Sequence, residues 1–269
     1  MKTIKVLFVF LILTIITQFG GLLYVVNRYT AIKFIRFKKY KWFKRQASFI
    51  TVYALVSIFL IPPLALLNNR KPLPVLSSKV IQPQNWFTVA ANRHYVTTDL
   101  CDLINDVAVN YNNQSKNKGL KLNYLDANFP FIDGFPLIPH LSHNDGKKLD
   151  LAFRYYKKND LVSRNKTMSL FGYGVYVEPT SGEVNQTTIC KERSWFYDVT
   201  KYIGIPTNSW LSFDESETKR LMQLLISSEV SKIFIEPNLK SRLKLNSDKI
   251  RFHGCHAVRH DDHIHVQIH

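Results

Sequence analysis

The stretch His260-Asp-Asp-His263-Ile-His265-Val-Gln-Ile-His269 decides how this 269-residue chain folds. Side chains alternate between the two faces of an extended strand. The aliphatic residues therefore share one face: Ile264, Val266 and Ile268. The other face carries His263, His265, Gln267 and His269. This alternation predicts a buried strand that directs the imidazoles of His263 and His265 into a cleft.

A second segment, Ser142-His143-Asn-Asp-Gly-Lys-Lys-Leu-Asp150-Leu-Ala-Phe153, supplies the partners of that strand. Residues 144–146 have the Asn-Asp-Gly composition of a turn, and residues 147–153 read as a strand that carries Asp150. The turn is expected to fold His143 back beside Asp150.

These residue types predict a catalytic zinc site. Such a site has three protein ligands from imidazole, thiolate or carboxylate and keeps a fourth position for water, whose pKa falls from 15.7 to about 7. We predict that His143, Asp150 and His265 bind one Zn²⁺, because nitrogen and oxygen ligation favours zinc over magnesium or calcium. We predict His263 and His260 as the catalytic groups, since an imidazole pKa near 6.5 suits proton transfer.

The other histidines are expected to have lesser roles. His94 and His140 are predicted surface or turn residues, although His140 lies near enough to His143 to line a cleft. The remaining three are predicted bystanders or supporting groups of the metal: His253, His256 and His269. The adjacent acids Asp261 and Asp262 either orient imidazoles or form a solvated turn, and the sequence leaves both interpretations open.

The formal net charge of +16 suggests nucleic acid as a partner until its distribution is considered. Twelve of the 36 basic residues and none of the 20 acidic residues lie within residues 1–71, so the rest of the chain is nearly balanced. The basic excess therefore belongs to the N-terminal region, and nucleic acid is not expected as a partner. A nucleic-acid-processing metalloenzyme would also require a cytoplasmic domain.

Residues 1–71 read as a membrane anchor. Two uncharged runs, residues 6–26 and 47–67, each reach the roughly 20 residues that a helix needs to cross a bilayer. A cleavable signal peptide is the alternative for the first run, but its apolar core is longer than usual and a second run follows. The basic, aromatic segment 28–45 is predicted to be cytoplasmic, which puts the rest of the chain on the outer side.

Residues 72–85, rich in Pro, Ser and Asn, are predicted to be a linker, and residues 86–269 to be one α+β domain. Within it, helices are expected from Thr98 and after Asp214, and residues 171–178 are expected to form a strand close to another backbone segment. Three cysteines (Cys101, Cys190 and Cys255) are compatible with one disulfide and one free thiol in an exported domain.

The pattern Ser142-His143-x-x-Gly146-x-x-x-Asp150, followed by His260-x-x-His263-x-His265, resembles the penicillin-insensitive murein endopeptidase family. These enzymes belong to the LAS zinc metallopeptidases, with lysostaphin-type enzymes, D-Ala-D-Ala carboxypeptidases and the hedgehog signalling domain. Residues 230–240 also resemble the segment that precedes the terminal histidines in that family. The resemblance extends over residues 100–269.

This resemblance implies zinc ligation by His143, Asp150 and His265, with His263 as catalytic base and His260 as transition-state stabiliser. It also implies the LAS core, a small antiparallel sheet flanked by helices, here preceded by two transmembrane helices. Peptidoglycan cross-links are the substrates that it implies. The chain departs from the family pattern in Lys147-Lys148-Leu149, which replaces an acidic stretch, and in its two spans and three cysteines.

Together these features predict a zinc-dependent hydrolase: a metalloprotease anchored in the bacterial plasma membrane, with its catalytic domain on the periplasmic side. As a murein endopeptidase or DD-carboxypeptidase it would cut amide bonds of cell-wall peptidoglycan stem peptides. The alternative is a catalytically silent zinc-containing domain that binds the cell wall or a partner. The sequence leaves the cleaved bond, the substrate-binding residues and the oligomeric state open.

Overall fold

The computed structural model describes residues 2–34, 40–115 and 119–269. It is a mixed α+β structure, as predicted. Its α-helices are α1 (Lys2–Thr17), α2 (Gly20–Phe34), α3 (Lys41–Leu55), α4 (Ile61–Leu66), α5 (Trp86–Ala90), α6 (Thr98–Gln114), α7 (Gln186–Arg193), α8 (Glu215–Leu225) and α9 (Pro237–Arg242). A π-helical turn, Val56–Leu60, joins α3 to α4, and Val199–Tyr202 forms a 3-10 turn.

The strands belong to three sheets of two, six and three strands. They are β1 (Arg70–Pro72), β2 (Ile81–Pro83), β3 (Tyr95–Thr97), β4 (Leu122–Tyr124), β5 (Lys148–Ala152), β6 (Tyr155–Lys157), β7 (Ser163–Arg164), β8 (Leu211–Phe213), β9 (Val230–Phe234), β10 (Ile250–Arg251) and β11 (His263–Ile268). The largest sheet has the order β10-β9-β11-β5-β4-β2. Its four inner strands are antiparallel, and each edge strand pairs in parallel with its neighbour.

The predicted strand at the C-terminus is the centre of this sheet, because β11 pairs with β5 on one side and β9 on the other. Its aliphatic face packs into the main apolar core with residues of α6 and α8. Both helices begin where the sequence predicts. The Thr97 hydroxyl accepts from the Leu100 amide at 3.4 Å, and the Asp214 carboxylate accepts from the Glu217 amide at 3.0 Å.

The predicted linker, residues 72–85, is part of the fold instead. β2 lies within it and forms an edge of the six-stranded sheet, while β1, which ends at Pro72, pairs with β3. Leu73 is 1% exposed and belongs to the core. The prolines indicated an irregular chain, but an edge strand tolerates proline because it needs hydrogen bonds on one side only. The sheet and the core therefore include residues of the predicted linker.

The prediction of one helix across residues 6–26 is wrong. α1 ends at Thr17 and α2 begins at Gly20, with Gln18 between them in the left-handed region at φ 69°. α2 folds back on α1 so closely that a Cβ on Gly21 would lie 2.3 Å from the Phe10 carbonyl oxygen. The one amide of this apolar run and the two glycines after it thus provide a turn.

The turn between α1 and α2 contacts the α+β domain. The Gln18 side chain accepts from the Phe131 amide at 2.9 Å, and Phe19 packs on Phe131 and Tyr53 with ring centroids 6.2 and 5.7 Å away. From α3, the Tyr53 hydroxyl donates to the Ala90 carbonyl at 2.7 Å. The N-terminal helices and the domain therefore share specific polar and aromatic contacts.

One helix of the described residues, Trp42–Leu66, is long and apolar enough to cross a membrane. It corresponds to the predicted run 47–67. α1 is apolar but shorter, at 16 residues. The predicted basic cytoplasmic segment 28–45 lies partly outside the described residues, since these omit 35–39.

A disulfide joins Cys190 of α7 to Cys255 in the tail, which leaves Cys101 as a buried free thiol. Residues 171–178 are irregular rather than a strand. Their predicted approach to another backbone segment is confirmed, because a Cβ on Gly174 would lie 2.2 Å from the Thr200 carbonyl oxygen.

Candidate metal centre

The pairing of β5 with β11 brings Asp150 and His265 together. Their Cα atoms are register partners, and opposite residues of an antiparallel pair project from the same face of the sheet. The Asp150 Oδ1 atom lies 2.9 Å from His265 Nδ1. Both side chains are buried, and burial lowers the pKa of His265 to about 3, so its imidazole is neutral at physiological pH.

The predicted turn positions His143 beside this pair. Gly146 adopts φ 80°, a conformation that favours glycine, and the Lys147 amide donates to the Asp145 carboxylate at 2.9 Å. His143 Nδ1 lies 2.8 Å from the Ala127 carbonyl oxygen, to which it can only donate. This hydrogen bond fixes the tautomer, so the Nε2 lone pair faces Asp150 Oδ1, 3.1 Å away.

Three donor atoms therefore converge: His143 Nε2, Asp150 Oδ1 and His265 Nδ1, with the two nitrogens 3.0 Å apart. Ligand atoms around a tetrahedral zinc with bonds of about 2.1 Å lie roughly 3.4 Å apart, so modest outward movement accommodates the ion. The three predicted ligands thus form a buried group that could hold a metal ion. Two imidazoles and a carboxylate suit zinc chemically.

The second oxygen of Asp150 faces a different set of groups. The Tyr173 hydroxyl donates to Oδ2 at 2.9 Å and accepts from the Asp126 amide at 3.0 Å. His140 Nδ1 lies 3.3 Å from the carboxylates of both Asp150 and Asp126. Asp126 in turn pairs with Arg93 at 2.7 Å. These four residues hold the carboxylate and the segments around it in place.

The predicted catalytic residue His263 lies next to this second oxygen. Its Nε2 is 3.6 Å from Asp150 Oδ2, and its Nδ1 hydrogen-bonds to Asp262 Oδ1. Asp262 is fixed by the Gly174 amide, which donates to its other oxygen at 2.6 Å. Burial opposes protonation, but the charges of Asp150 and Asp262 outweigh it and raise the pKa of His263 to about 9.

The other predicted catalytic residue, His260, adjoins both of its neighbours in the motif. Its ring centroid is 4.9 Å from that of His263 and 5.6 Å from that of His265. Burial and the neighbouring imidazoles hold its pKa well below the usual value. The backbone amide of His260 donates to the buried carboxylate of Glu236 at 3.1 Å, which ties this part of the tail to the end of β9.

A second group of residues could also hold a metal ion: His140, Asp150 and His263. It shares Asp150 with the first group. The Oδ2 atom of Asp150, however, already accepts a hydrogen bond from Tyr173. This oxygen lies 3.3 Å from His140 and 3.6 Å from His263, and both distances exceed those from Oδ1 to the nitrogens of the first group. The first group therefore offers the tighter ligand set.

A cleft of about 210 Å³ opens beside the centre. The predicted bystanders His253 and His256 line it, together with Leu141, Phe196 and Val258. The His253 ring packs against Phe234, with centroids 4.3 Å apart. His269, by contrast, is exposed at the end of β11 and lines a separate depression.

The two acids of the tail are fully buried, which rules out the solvated turn. Asp262 orients His263, whereas Asp261 pairs with the buried guanidinium of Arg259. Arg259 also stacks on Tyr176, with its Cζ 3.7 Å from the ring centroid, and pairs with Glu178 at 2.9 Å. This cluster fixes the loop that presents His260 and His263.

The sequence predictions missed part of this centre. His94 and His140 are buried rather than at the surface, and Asp126, Tyr173 and Arg93 were not recognised as site residues. The two glycines beside Tyr173 were the available signal, because they indicated a close approach to another part of the chain. A scan against protein-family models and a search of curated proteins found no match to this chain.

Proposed function

We propose that this protein is a membrane-anchored zinc metallopeptidase that hydrolyses amide bonds in peptidoglycan stem peptides or cross-links. The observation that carries the proposal is the convergence of His143 Nε2, Asp150 Oδ1 and His265 Nδ1 within 3.1 Å of one another. Two further histidines, His263 and His260, adjoin these three donors. A purely structural metal site has no need of extra proton-transfer groups at an open cleft.

His143, Asp150 and His265 would hold the zinc ion in this proposal. When bound, zinc supplies Lewis acidity toward a substrate carbonyl and lowers the pKa of water. The histidines supply the proton transfers. Nδ1 of His263 is held against Asp262, and the charge of Asp150 favours a second proton at Nε2. A cation held by Asp150 would offset that charge, so Nε2 would accept a proton from water and return it to the leaving amine.

The surroundings of His263 prepare it for this role. Asp262 fixes the ring and stabilises its charged form, much as a carboxylate orients a histidine base in other hydrolases. His260 lies on the other side of His263, at the cleft, where a nitrogen can donate a hydrogen bond to developing charge on the substrate.

The substrate class rests on the motif resemblance to murein endopeptidases and on the proposed location. The long helix Trp42–Leu66 would cross the bacterial plasma membrane, and the α1–α2 hairpin would accompany it. The basic residues of this region cluster at the helix ends away from the domain, such as Lys5, Arg28 and Arg45. By the positive-inside rule these ends face the cytoplasm, which directs the domain to the periplasmic side.

The disulfide between Cys190 and Cys255 supports this orientation, because such bonds persist in oxidising compartments outside the cytoplasm. The topology differs from the two-span prediction in one respect. Both Lys5 of α1 and Arg28 of α2 would lie on the same side, since the chain reverses at Gln18.

The proposal is tested by digestion of purified cross-linked muropeptides with the full-length chain in detergent micelles. We expect release of uncross-linked products that stops with a chelator and returns with zinc. His263→Ala should be inactive, whereas His269→Ala, which changes an exposed histidine outside the centre, should be as active as the wild type. Intact muropeptides in every reaction, with one zinc per chain, would instead favour the silent zinc-containing binding domain.

A further inference from the structure

An apolar groove of about 490 Å³ lies between α1 and the α+β domain. Its size falls in the range of small-molecule sites, roughly 300–1,000 Å³. Ile15 and Ile16 of α1 form one wall, and the domain supplies the other walls, which include Phe87, Ile138, Phe171 and Ile203. The floor contains Tyr173 and the ion pair of Arg93 with Asp126. The groove is therefore an apolar channel that ends at a polar wall.

The groove continues an exposed apolar stripe on α1. Ile4, Phe8, Leu11 and Ile15 follow each other at the three- and four-residue spacing of one helix face. Their exposed fractions are 71%, 62%, 48% and 45%, so the stripe is uncovered along the whole helix. In the proposed membrane anchor this face contacts lipid acyl chains. Ile15 belongs both to this face and to the wall of the groove, so the two apolar surfaces are continuous.

We propose that the groove binds one acyl chain of a bilayer lipid. The inference rests on the proposed membrane anchoring and identifies a ligand site that the peptidase proposal does not include. An acyl chain fits because the walls are aliphatic and aromatic and because the same surface that the bilayer covers on α1 extends without interruption to the groove.

The rim of the groove matches the headgroup level of a membrane. Tyr202 lines the groove and is 77% exposed, and Trp86, adjacent to Phe87, is 64% exposed. Amphipathic tyrosine and tryptophan rings are enriched at membrane–water interfaces, where one end is apolar and the other wet. The groove mouth thus lies at the depth where a lipid tail leaves its headgroup.

An acyl chain in the groove would contact the supports of the metal centre. Tyr173 lines the groove and donates to Asp150, and Pro139 separates the groove from the cleft that contains His140 and His143. Filling the groove excludes water from the Arg93–Asp126 pair and limits the movement of Tyr173. The lipid is therefore a positioning ligand of the centre, and it makes no contact with the reacting atoms.

Photo-crosslinking of the full-length chain in lipid nanodiscs tests this site. The nanodiscs contain phosphatidylethanolamine, phosphatidylglycerol and a phospholipid with a diazirine in its acyl chain. Labelled peptides are mapped by mass spectrometry. We expect labelling of Phe8 and Leu11 on the α1 stripe and of Phe87, Ile138 or Ile203 in the groove.

Ile203→Trp fills the groove and should lower groove labelling by about tenfold while the stripe remains labelled. Leu161→Trp, at an exposed turn elsewhere on the domain, is the matched control and should leave both unchanged. A labelled stripe with an unlabelled groove overturns the lipid site but leaves the anchor intact. If neither region is labelled, both the lipid site and the membrane anchoring are overturned. Equal groove labelling in Ile203→Trp and Leu161→Trp also overturns the site.

Peptidase activity separates this proposal from the enzymatic one. If groove labelling follows the expected pattern and muropeptides stay intact, the lipid site holds and the peptidase proposal fails. The groove measurement requires no turnover, so the two results are independent.

Discussion

The two oxygens of the Asp150 carboxylate face different parts of the molecule. Oδ1 lies 2.9 and 3.1 Å from ring nitrogens of His265 and His143, and these three atoms together could hold a cation. Oδ2 accepts a hydrogen bond from the hydroxyl of Tyr173 at 2.9 Å and lies 3.3 Å from His140 Nδ1. Oδ1 therefore belongs to the group that could hold a metal ion, whereas Oδ2 is fixed by neighbouring side chains.

This difference explains how the short strand β5 can hold the Asp150 carboxylate in one orientation. A carboxylate with a single fixed partner can rotate, whereas Oδ2 is held by Tyr173 and oriented by His140, which Asp126 also contacts. The residues around Oδ2, which we call the holding side, are themselves fixed, since Arg93 pairs with Asp126. Residues around Oδ1 and residues around Oδ2 both contribute to the centre. A substitution on one side should nevertheless affect metal binding and catalysis differently from a substitution on the other.

Asp150→Asn should have the largest effect, because it alters both sides at once. The amide keeps the shape of the carboxylate but removes its charge, so we expect zinc affinity to fall by more than about 100-fold and muropeptide cleavage to be lost. Zinc bound per chain, measured by atomic emission after dialysis against a buffered zinc solution, checks this. Asp106→Asn, on an exposed face of α6, should retain the metal. Retained zinc in Asp150→Asn would exclude Asp150 as a ligand.

His263→Ala separates catalysis from metal binding. Because His263 lies outside the tighter ligand set, we expect the variant to keep one zinc per chain while kcat falls by about 10²–10⁴-fold. Metal content and turnover are measured on the same preparation, with His269→Ala as the control. Loss of zinc from His263→Ala but not from His143→Ala would contradict this and identify His140, Asp150 and His263 as the metal site.

Tyr173→Phe affects only the holding side. Removal of the hydroxyl leaves Oδ2 without a donor and the Asp126 amide without its acceptor, so we expect zinc affinity to fall by about 10- to 100-fold. Competition with a chromophoric chelator measures the affinity, and Tyr29→Phe, an exposed residue of α2, serves as the control. An affinity equal to that of the wild type would mean that Asp150 is held without Tyr173.

The convergence of His143, Asp150 and His265 could be predicted because much of that information is local. Alternation along residues 263–268 fixes the strand and its buried face, and the Asn-Asp-Gly turn brings His143 to Asp150 within eight positions. Antiparallel pairing then sets His265 opposite Asp150. The first two steps depend on short-range rules, and the pairing of two strands then brings the three side chains together.

The holding side could not be predicted in the same way. Tyr173 lies in an irregular segment with no periodic pattern, and Asp126 follows a three-residue strand, so their approach to Asp150 depends on the packing of the whole domain. The break at Gln18 was similarly hidden, because hydropathy averages over a run and does not register a single turn. Edge strand β2 was not predicted because its proline indicated irregular structure, although an edge strand needs hydrogen bonds on one side only.

The smallest expected effect concerns His94, a buried histidine whose pKa is determined mainly by its burial. Burial lowers its pKa to about 4, although a hydrogen bond with the Thr88 backbone opposes this. The unfolded chain, with a histidine pKa near 6.5, therefore binds more protons than the folded chain between about pH 4 and 6.5. Stability contributed by neutral His94 is complete above this window and is lost as the pH falls through it.

Because of His94, we expect the free energy of unfolding to fall by about 1 kcal/mol when the pH is lowered from 7 to 5.5. His94→Phe, which keeps an aromatic ring beside Tyr95, should remove that part of the pH dependence. Urea pulse proteolysis of the full-length chain in micelles at both pH values measures the difference. His140 and His260, whose pKa values burial also lowers, titrate in both proteins and cancel in the comparison. Equal pH dependence in the two proteins would show that His94 is accessible to protons in the folded state, in contrast to histidines held at the centre by carboxylates.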